Sequence, residues 1–271
     1  MAKEYEQSAS LLEINKLERT VFMNLQIKSL KSKFEDLINE KNEAVESLTQ
    51  EMKFSDYKYL IFSQEFSKRK QIIDEDKILN FKAKFPIENI DEKNIYATHP
   101  VYEYLQAKVY YYRVLGDFEQ AFKSKTKVIN WWEKNKIYKK EYFPKYISDL
   151  KNYVSLSYSN KRLDLIPAIL DKIEKEKPNT FHQERLIFNT LALSKMLFFL
   201  NENQFEEAKN FVNEIEGKFS KYYIRKALKI SIFGNFAVLF FILSEFETCI
   251  HWVDKIIEHK KNEQRQDVQR Y

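Results

Sequence analysis

Glycine is nearly absent from this chain. Only Gly116, Gly217 and Gly234 occur in 271 residues, where average usage would supply roughly 19. A sandwich or barrel needs a turn about every 8–12 residues, and a doubly wound fold needs a glycine-rich phosphate turn. Three glycines and five prolines can build neither. Helix interiors need no positive φ. A chain that is 44% hydrophobic and 31% charged also supplies the two faces that packed helices require. The expected fold class is all-α.

Charge and cysteine narrow the setting. Lys and Arg number 45 against 40 Asp and Glu, and the signs interleave, as in residues 202–209. The densest basic stretch (Lys123, Lys125, Lys127, Lys134, Lys136, Lys139 and Lys140) contains Glu133 and Glu141 and reads as a solvated helix face. Nucleic-acid modules gather basic residues on one face, so this pattern argues against nucleic acid as a partner. Cys249 is the only cysteine, which excludes an intrachain disulfide and fits a reducing compartment. The first fifteen residues carry Lys3, Glu4, Glu6 and Glu13 without the apolar core of a secretory signal. The most apolar run, residues 236–243, is far short of the ~20 residues that span a bilayer. The expectation is a cytoplasmic protein with no membrane partner.

Residues 1–85 contain neither glycine nor proline. Apolar residues recur at helical spacing as Leu30, Phe34, Leu37, Ala44 and Leu48, which predicts one or two long helices with a packing seam. Ser55 and Asp56 are good N-caps, so a further helix carrying Tyr59, Leu60, Phe62 and Phe66 is expected after them. Residues 74–76 and 84–94 read as polar connections around a short helical piece. The expected division is an N-terminal helical region, 1–95, and a repeat array, 96–271.

The array rests on four turn-like sites marked by Phe118, Leu163, Phe205 and Phe246. Three places after each stand Ala121, Ile166, Ala208 and Cys249; ten places after stand Val128, Ile173, Ile215 and Ile256. Nine places before stand Val109, Val154, Met196 and Ala237, and six places before stand Tyr112, Ser157, Phe199 and Phe240. Antiparallel helices joined by a tight turn approach closely there, so a small residue is expected one turn into the second helix, and all but Ile166 are small. Larger residues fill the space further out. Such a pair cannot bury its apolar faces alone, so successive pairs stack. Pro144 near a helix start, Pro178 after a helix end, the Thr180 and Gln183 capping-box spacing and Gly217 past a helix end mark the predicted limits.

Residues 98–262 thereby resemble tetratricopeptide repeats, on the Gly116-Asp117-Phe118 turn with Ala121, and Phe205 with Ala208. The turn residues are 45, 42 and 41 apart, longer than the ~34-residue unit of that family, and by period alone HEAT-type pairs of about 40–47 residues also fit. Pro167 near the start of a second helix departs from the pattern. The resemblance implies a right-handed superhelix of stacked helix hairpins, an α-solenoid preceded by long N-terminal helices. It also implies a groove lined by first helices that grips a peptide. Tetratricopeptide domains that hold peptide C-termini use Lys, Arg and Asn on that face. The counterparts here are Tyr110, Arg113, Lys151, Asn152 and Asn235.

No Walker loop, GxGxxG, HExxH or GxSxG is present. The histidines (His99, His182, His251 and His259) lack partners at metal-ligand spacing, with only Glu258 beside His259. Cys249 sits in the small-residue column as a packing thiol. No catalytic residue, cofactor or metal site is therefore expected. Sixteen of the 42 aromatics fall between Tyr96 and Tyr158. Tyr110, Tyr111 and Tyr112 sweep about 200° of helix surface, so one of them should face a groove or a neighbouring repeat. Residues 236–243 look buried on two sides, while the tail after His259 is too polar to cap them. A second subunit, or further repeats of which this chain would be a fragment, should cover that end. The expected function is non-enzymatic: a scaffold binding a peptide, a partner protein or another copy of itself. An effector- or peptide-sensing part of a regulator is the alternative, followed by an RNA-binding helical repeat, which lacks a repeated basic column.

Overall fold

The computed structural model describes residues 8–24, 30–68, 74–95 and 97–260. Among them are twelve α-helices and no strand. The chain divides into two compact units, Met1–Tyr142 and Phe143–Tyr271.

The first unit comprises α1 (Ser8–Met23), α2 (Leu30–Lys68), α3 (Glu75–Lys84), α4 (Thr98–Val114), α5 (Phe118–Lys134) and α6 (Lys136–Glu141). The helix start expected at Ser55 or Asp56 does not occur, because α2 runs straight through both residues. Phe54 and Ile61, two turns apart, are buried on one stripe, and Lys58 between them pairs with Glu103 of α4. Continuing that stripe outweighs a cap whose worth is about 1 kcal/mol. α1 returns antiparallel along the first half of α2. The Ser8 hydroxyl bonds the Ser47 hydroxyl at 3.0 Å, and Asn15 Nδ2 donates to the Leu37 carbonyl at 2.7 Å. Leu37 and Ala44 of the expected seam are buried there; the side chains of Leu30 and Phe66 lie outside the described residues.

Asp74 caps α3, accepting from the Lys77 amide at 3.0 Å. Glu75 and Asp76 at its start and Lys82 and Lys84 at its end complement the helix dipole. The following segment is more than the polar connection expected. Two short 3₁₀ turns, Ile87–Asn89 and Glu92–Asn94, carry Phe85, Ile87 and Ile95 into the core. The division at 142/143 also differs from the boundary expected near residue 95. α4, the first helix of the first predicted hairpin, packs along α2, so that hairpin shares a unit with the N-terminal helices.

The second unit contains α7 (Phe143–Ser159), α8 (Ile166–Lys175), α9 (Phe181–Asn201), α10 (Phe205–Glu216), α11 (Lys226–Ile242) and α12 (Phe246–Lys260). They pair in sequence, α7 with α8, α9 with α10 and α11 with α12. α9 also touches α7, α8 and α11, and α10 touches α11. The core of the last two hairpins gathers Met196, Ala208, Val212, Ile232, Phe236 and Trp252. Thr180 caps α9 by accepting from the Gln183 amide at 3.2 Å. Gln183 reaches back to the Asn179 amide at 2.7 Å, one residue earlier than the usual capping box. Gly217 follows α10 with a right-handed φ of −61°, so that position makes no use of glycine's freedom.

One turn is built four times. The left-handed residues Gly116, Lys161, Asn203 and Ser244 each stand two places before Phe118, Leu163, Phe205 and Phe246. The next amide in each turn bonds a carbonyl five residues back: Asp117 to Tyr112 at 2.9 Å, Arg162 to Ser157 at 2.9 Å, Gln204 to Phe199 at 2.8 Å and Glu245 to Phe240 at 2.9 Å. The left-handed residue's own amide bonds three back, to Arg113, Tyr158, Leu200 and Phe241. This is the Schellman closure, which satisfies the orphan carbonyls of a helix end. The columns follow the turn. Ala121, Ile166 and Ala208 are fully buried, as are Val128, Ile173 and Ile215, whereas Cys249 and Ile256 of the last hairpin are only half-buried.

Candidate functional site

The five residues expected to line a groove are split between the units. Tyr110 and Arg113 lie on α4; Lys151 and Asn152 lie on α7, and Asn235 on α11. The Tyr110 ring packs edge-on against Phe62 of α2, with centroids 5.2 Å apart. Its neighbours are used in the same way. Tyr111 is buried and stacks on Phe81 of α3 at 5.3 Å, and Tyr112 meets Tyr111 edge to face. Burial pushes the Tyr111 phenol well above its ordinary range, with the Glu88 charge and hydrogen bond adding to the rise. Burial likewise takes Tyr104 up to about 12, with Glu92 and Asp91 nearby. Tyr104, Tyr110 and Tyr111 of α4 are thus packed by α2 and α3, while Tyr102 packs on Trp131 and Trp132 of α5. Lys151 is exposed, and Asn152 and Asn235 are half-buried.

His99 pairs through Nδ1 with Glu51 of α2 at 2.9 Å and lies among the rings of Tyr102, Tyr138 and Tyr142. Among the described residues, no three His, Cys, Asp or Glu side chains converge as a metal-binding group.

A different place in the second unit combines the chemistry of a binding site. The connection between α10 and α11, with the starts of α9 and α11, encloses an open cleft of about 650 Å³. Its wall is aromatic. Tyr222 stacks on Phe188 at 4.5 Å and on Phe181 at 5.7 Å, and Phe219 meets Phe188 edge-on at 6.1 Å. The wall is fixed from behind, where Glu184 of α9 accepts from the Tyr222 hydroxyl at 2.5 Å and from Lys221 Nζ at 2.9 Å. Those two bonds, the Tyr222 one foremost, hold the Glu184 carboxyl below its usual range. They also anchor the 217–225 connection to α9.

The rim is basic. Lys221 is neutralised by Glu184, but Lys226 and Lys229, on the first turn of α11, form no ion pair among the described residues. Lys229 instead lies 5.6 Å over the Phe233 ring. Arg185 sits 5.7 Å over the Tyr223 ring at the same end of α9. The uncapped amides of the α11 N-terminus add positive potential. The arrangement can bury an aromatic or apolar group against rings and hold a carboxylate with two ammonium groups. Sequence reasoning overlooked it by searching the middles of first helices. The available signal was the alternation of Lys218, Lys221, Arg225, Lys226 and Lys229 with Phe219, Tyr222 and Tyr223 across the connection and the first turn of α11.

No protein-family model, curated protein or solved structure matches this chain.

Proposed function

We propose that the protein is a non-enzymatic interaction scaffold, built from helix hairpins of one register, that grips an acidic segment of a partner protein in the α9–α11 cleft. The observation that supports this reading is the pair Lys226 and Lys229, without carboxylate partners, beside the preformed Phe181–Tyr222 stack that Phe188 backs. A wall that is already packed loses little conformational freedom on binding. Rings supply contact area with few torsions to freeze, and they favour an aromatic or apolar side chain. The ammonium groups then select carboxylates beside it and fix direction, the role charge plays at most recognition surfaces. This moves the peptide site away from the five first-helix residues and keeps the class of partner.

Fluorescence anisotropy with a labelled peptide of alternating Asp, Glu and Tyr, and with its Lys-for-acid counterpart, tests the reading. The acidic peptide should bind more tightly and weaken with salt. Lys226→Glu with Lys229→Glu should cost at least ~10-fold, given about 1 kcal/mol per charge contact. Equal binding of the two peptides, or indifference to the double reversal, would overturn the assignment.

A further inference from the structure

The three hairpins of the second unit can be compared position by position on the side that faces the next hairpin. Seven places after the turn residue, Leu170 is 4% exposed and Val212 is 1% exposed, but Val253 is 38% exposed. Eleven places after it stand Glu174 and Glu216, and each pairs with a lysine of the following hairpin: Glu174 with Lys195 at 2.8 Å and Glu216 with Lys255 at 3.2 Å. Four places after it, Lys209 pairs with Glu245 of the next hairpin at 2.5 Å. In α12 the same two positions are Ile257 and Ile250, and both are exposed.

The last hairpin therefore keeps the docking stripe of its predecessors but carries no charge on it. Phe246, Ile250, Val253 and Ile257 recur at intervals of four, three and four, which places them on one side of α12. Phe241 of α11 touches Phe246, ring to ring at 5.9 Å, and Val238 extends the patch along α11. At roughly 100 Å² each, these six side chains show about 600 Å² of apolar surface, the top of the range for the largest patch on an ordinary monomer. It is also most of the ~800 Å² per partner found in a standard-size interface.

We infer that this face joins two copies of the chain about a two-fold axis, α11/α12 against α11/α12. α10 meets the next hairpin with a lysine and a glutamate because that hairpin offers the complements. A stripe with isoleucine at both places needs an equally apolar counterpart, and the same face on a second copy supplies one. In an isologous contact each patch covers its own image, and the 4-3-4 spacing suits knobs-into-holes packing of α12 against its mate. Glu247 and Asp254 border the stripe on both copies, so screening their repulsion should tighten the dimer as salt is raised. That sign is opposite to the one expected for the acidic peptide in the cleft.

Sedimentation equilibrium of the full chain, from low micromolar to submillimolar concentration, tests this. The wild type should be dimeric, and Ile250→Glu with Val253→Glu should raise its dissociation constant at least ~100-fold, as expected for two central anchors. Helicity should stay unchanged because both positions are exposed. Ile250→Ser with Val253→Ser gives the same reading if the glutamates impair folding. A wild type that stays monomeric throughout, as it would if a different partner covers this face, overturns the inference. So does a dimer that the double variants leave intact, or one that salt dissociates.

Discussion

The α4/α5 hairpin of the first unit and the α11/α12 hairpin of the second close with the same turn, down to one left-handed residue two places before the second helix. Their surroundings could hardly differ more. α4 is taken up by α2 through paired polar groups: Glu103 with Lys58, and His99 with Glu51. Within that hairpin, seven places after its turn residue, α5 carries Lys125, buried and bonded to Gln106 of α4 at 3.4 Å. The same position in α12 is Val253, open to solvent. A hairpin module therefore fixes how two helices meet and leaves open what they meet next. Charged residues at the outer positions tie a hairpin to one neighbour inside the chain. Apolar residues there leave it free to be covered by another molecule.

The sharpest way to break this contrast is at the buried pair. Lys58→Met leaves Glu103 buried without its cation and should cost about 3 kcal/mol in urea unfolding, most of it recovered when Glu103→Leu is added. If the single change costs nothing, the polar attachment of α4 to α2 is not what holds the first unit.

A smaller effect separates covered from uncovered stripes. Val212→Ala should cost about 2 kcal/mol, while Val253→Ala should cost under ~0.5 kcal/mol in dilute protein, where the outer face is bare. Equal losses would mean that the two positions are not equivalent in register.

The smallest effect concerns the shared turn. Gly116→Ala forces a side chain onto a φ of 75° and should lose about 1 kcal/mol. Lys161→Gly relieves a left-handed lysine with φ of 55° and should gain about 0.5 kcal/mol once glycine's extra chain entropy is offset. Opposite signs in the two unfolding midpoints would show that one backbone geometry governs both units.

Much of this was legible in the residues themselves. The scarcity of glycine excluded sheets, and the spacing around Phe118, Leu163, Phe205 and Phe246 located four turns and their small-residue column. Local rules suffice there, because a Schellman turn and the close approach beside it depend on neighbours within about ten residues. The misreadings have one cause. Ser55 and Asp56 look like caps in isolation, yet Phe54 and Ile61 are buried on one stripe and Lys58 reaches Glu103. Residues 84–94 look polar by composition, yet three apolar side chains within and beside them enter the core. Tyr110, half-buried, packs edge-on against Phe62, nearly fifty places earlier, a contact that no local rule foretells. The cleft at α11 was missed because its parts come from three elements that only folding brings together.

By itself, then, the sequence determined that the chain is helical, where its hairpins turn and which side of each helix is apolar, because helical periodicity and turn closure act over a few residues. Only the tertiary structure decided which apolar faces are satisfied, which lysines lack partners and which helix shields the tyrosines. Those depend on contacts between residues far apart in the chain, and burial is a property of the neighbour as much as of the residue buried.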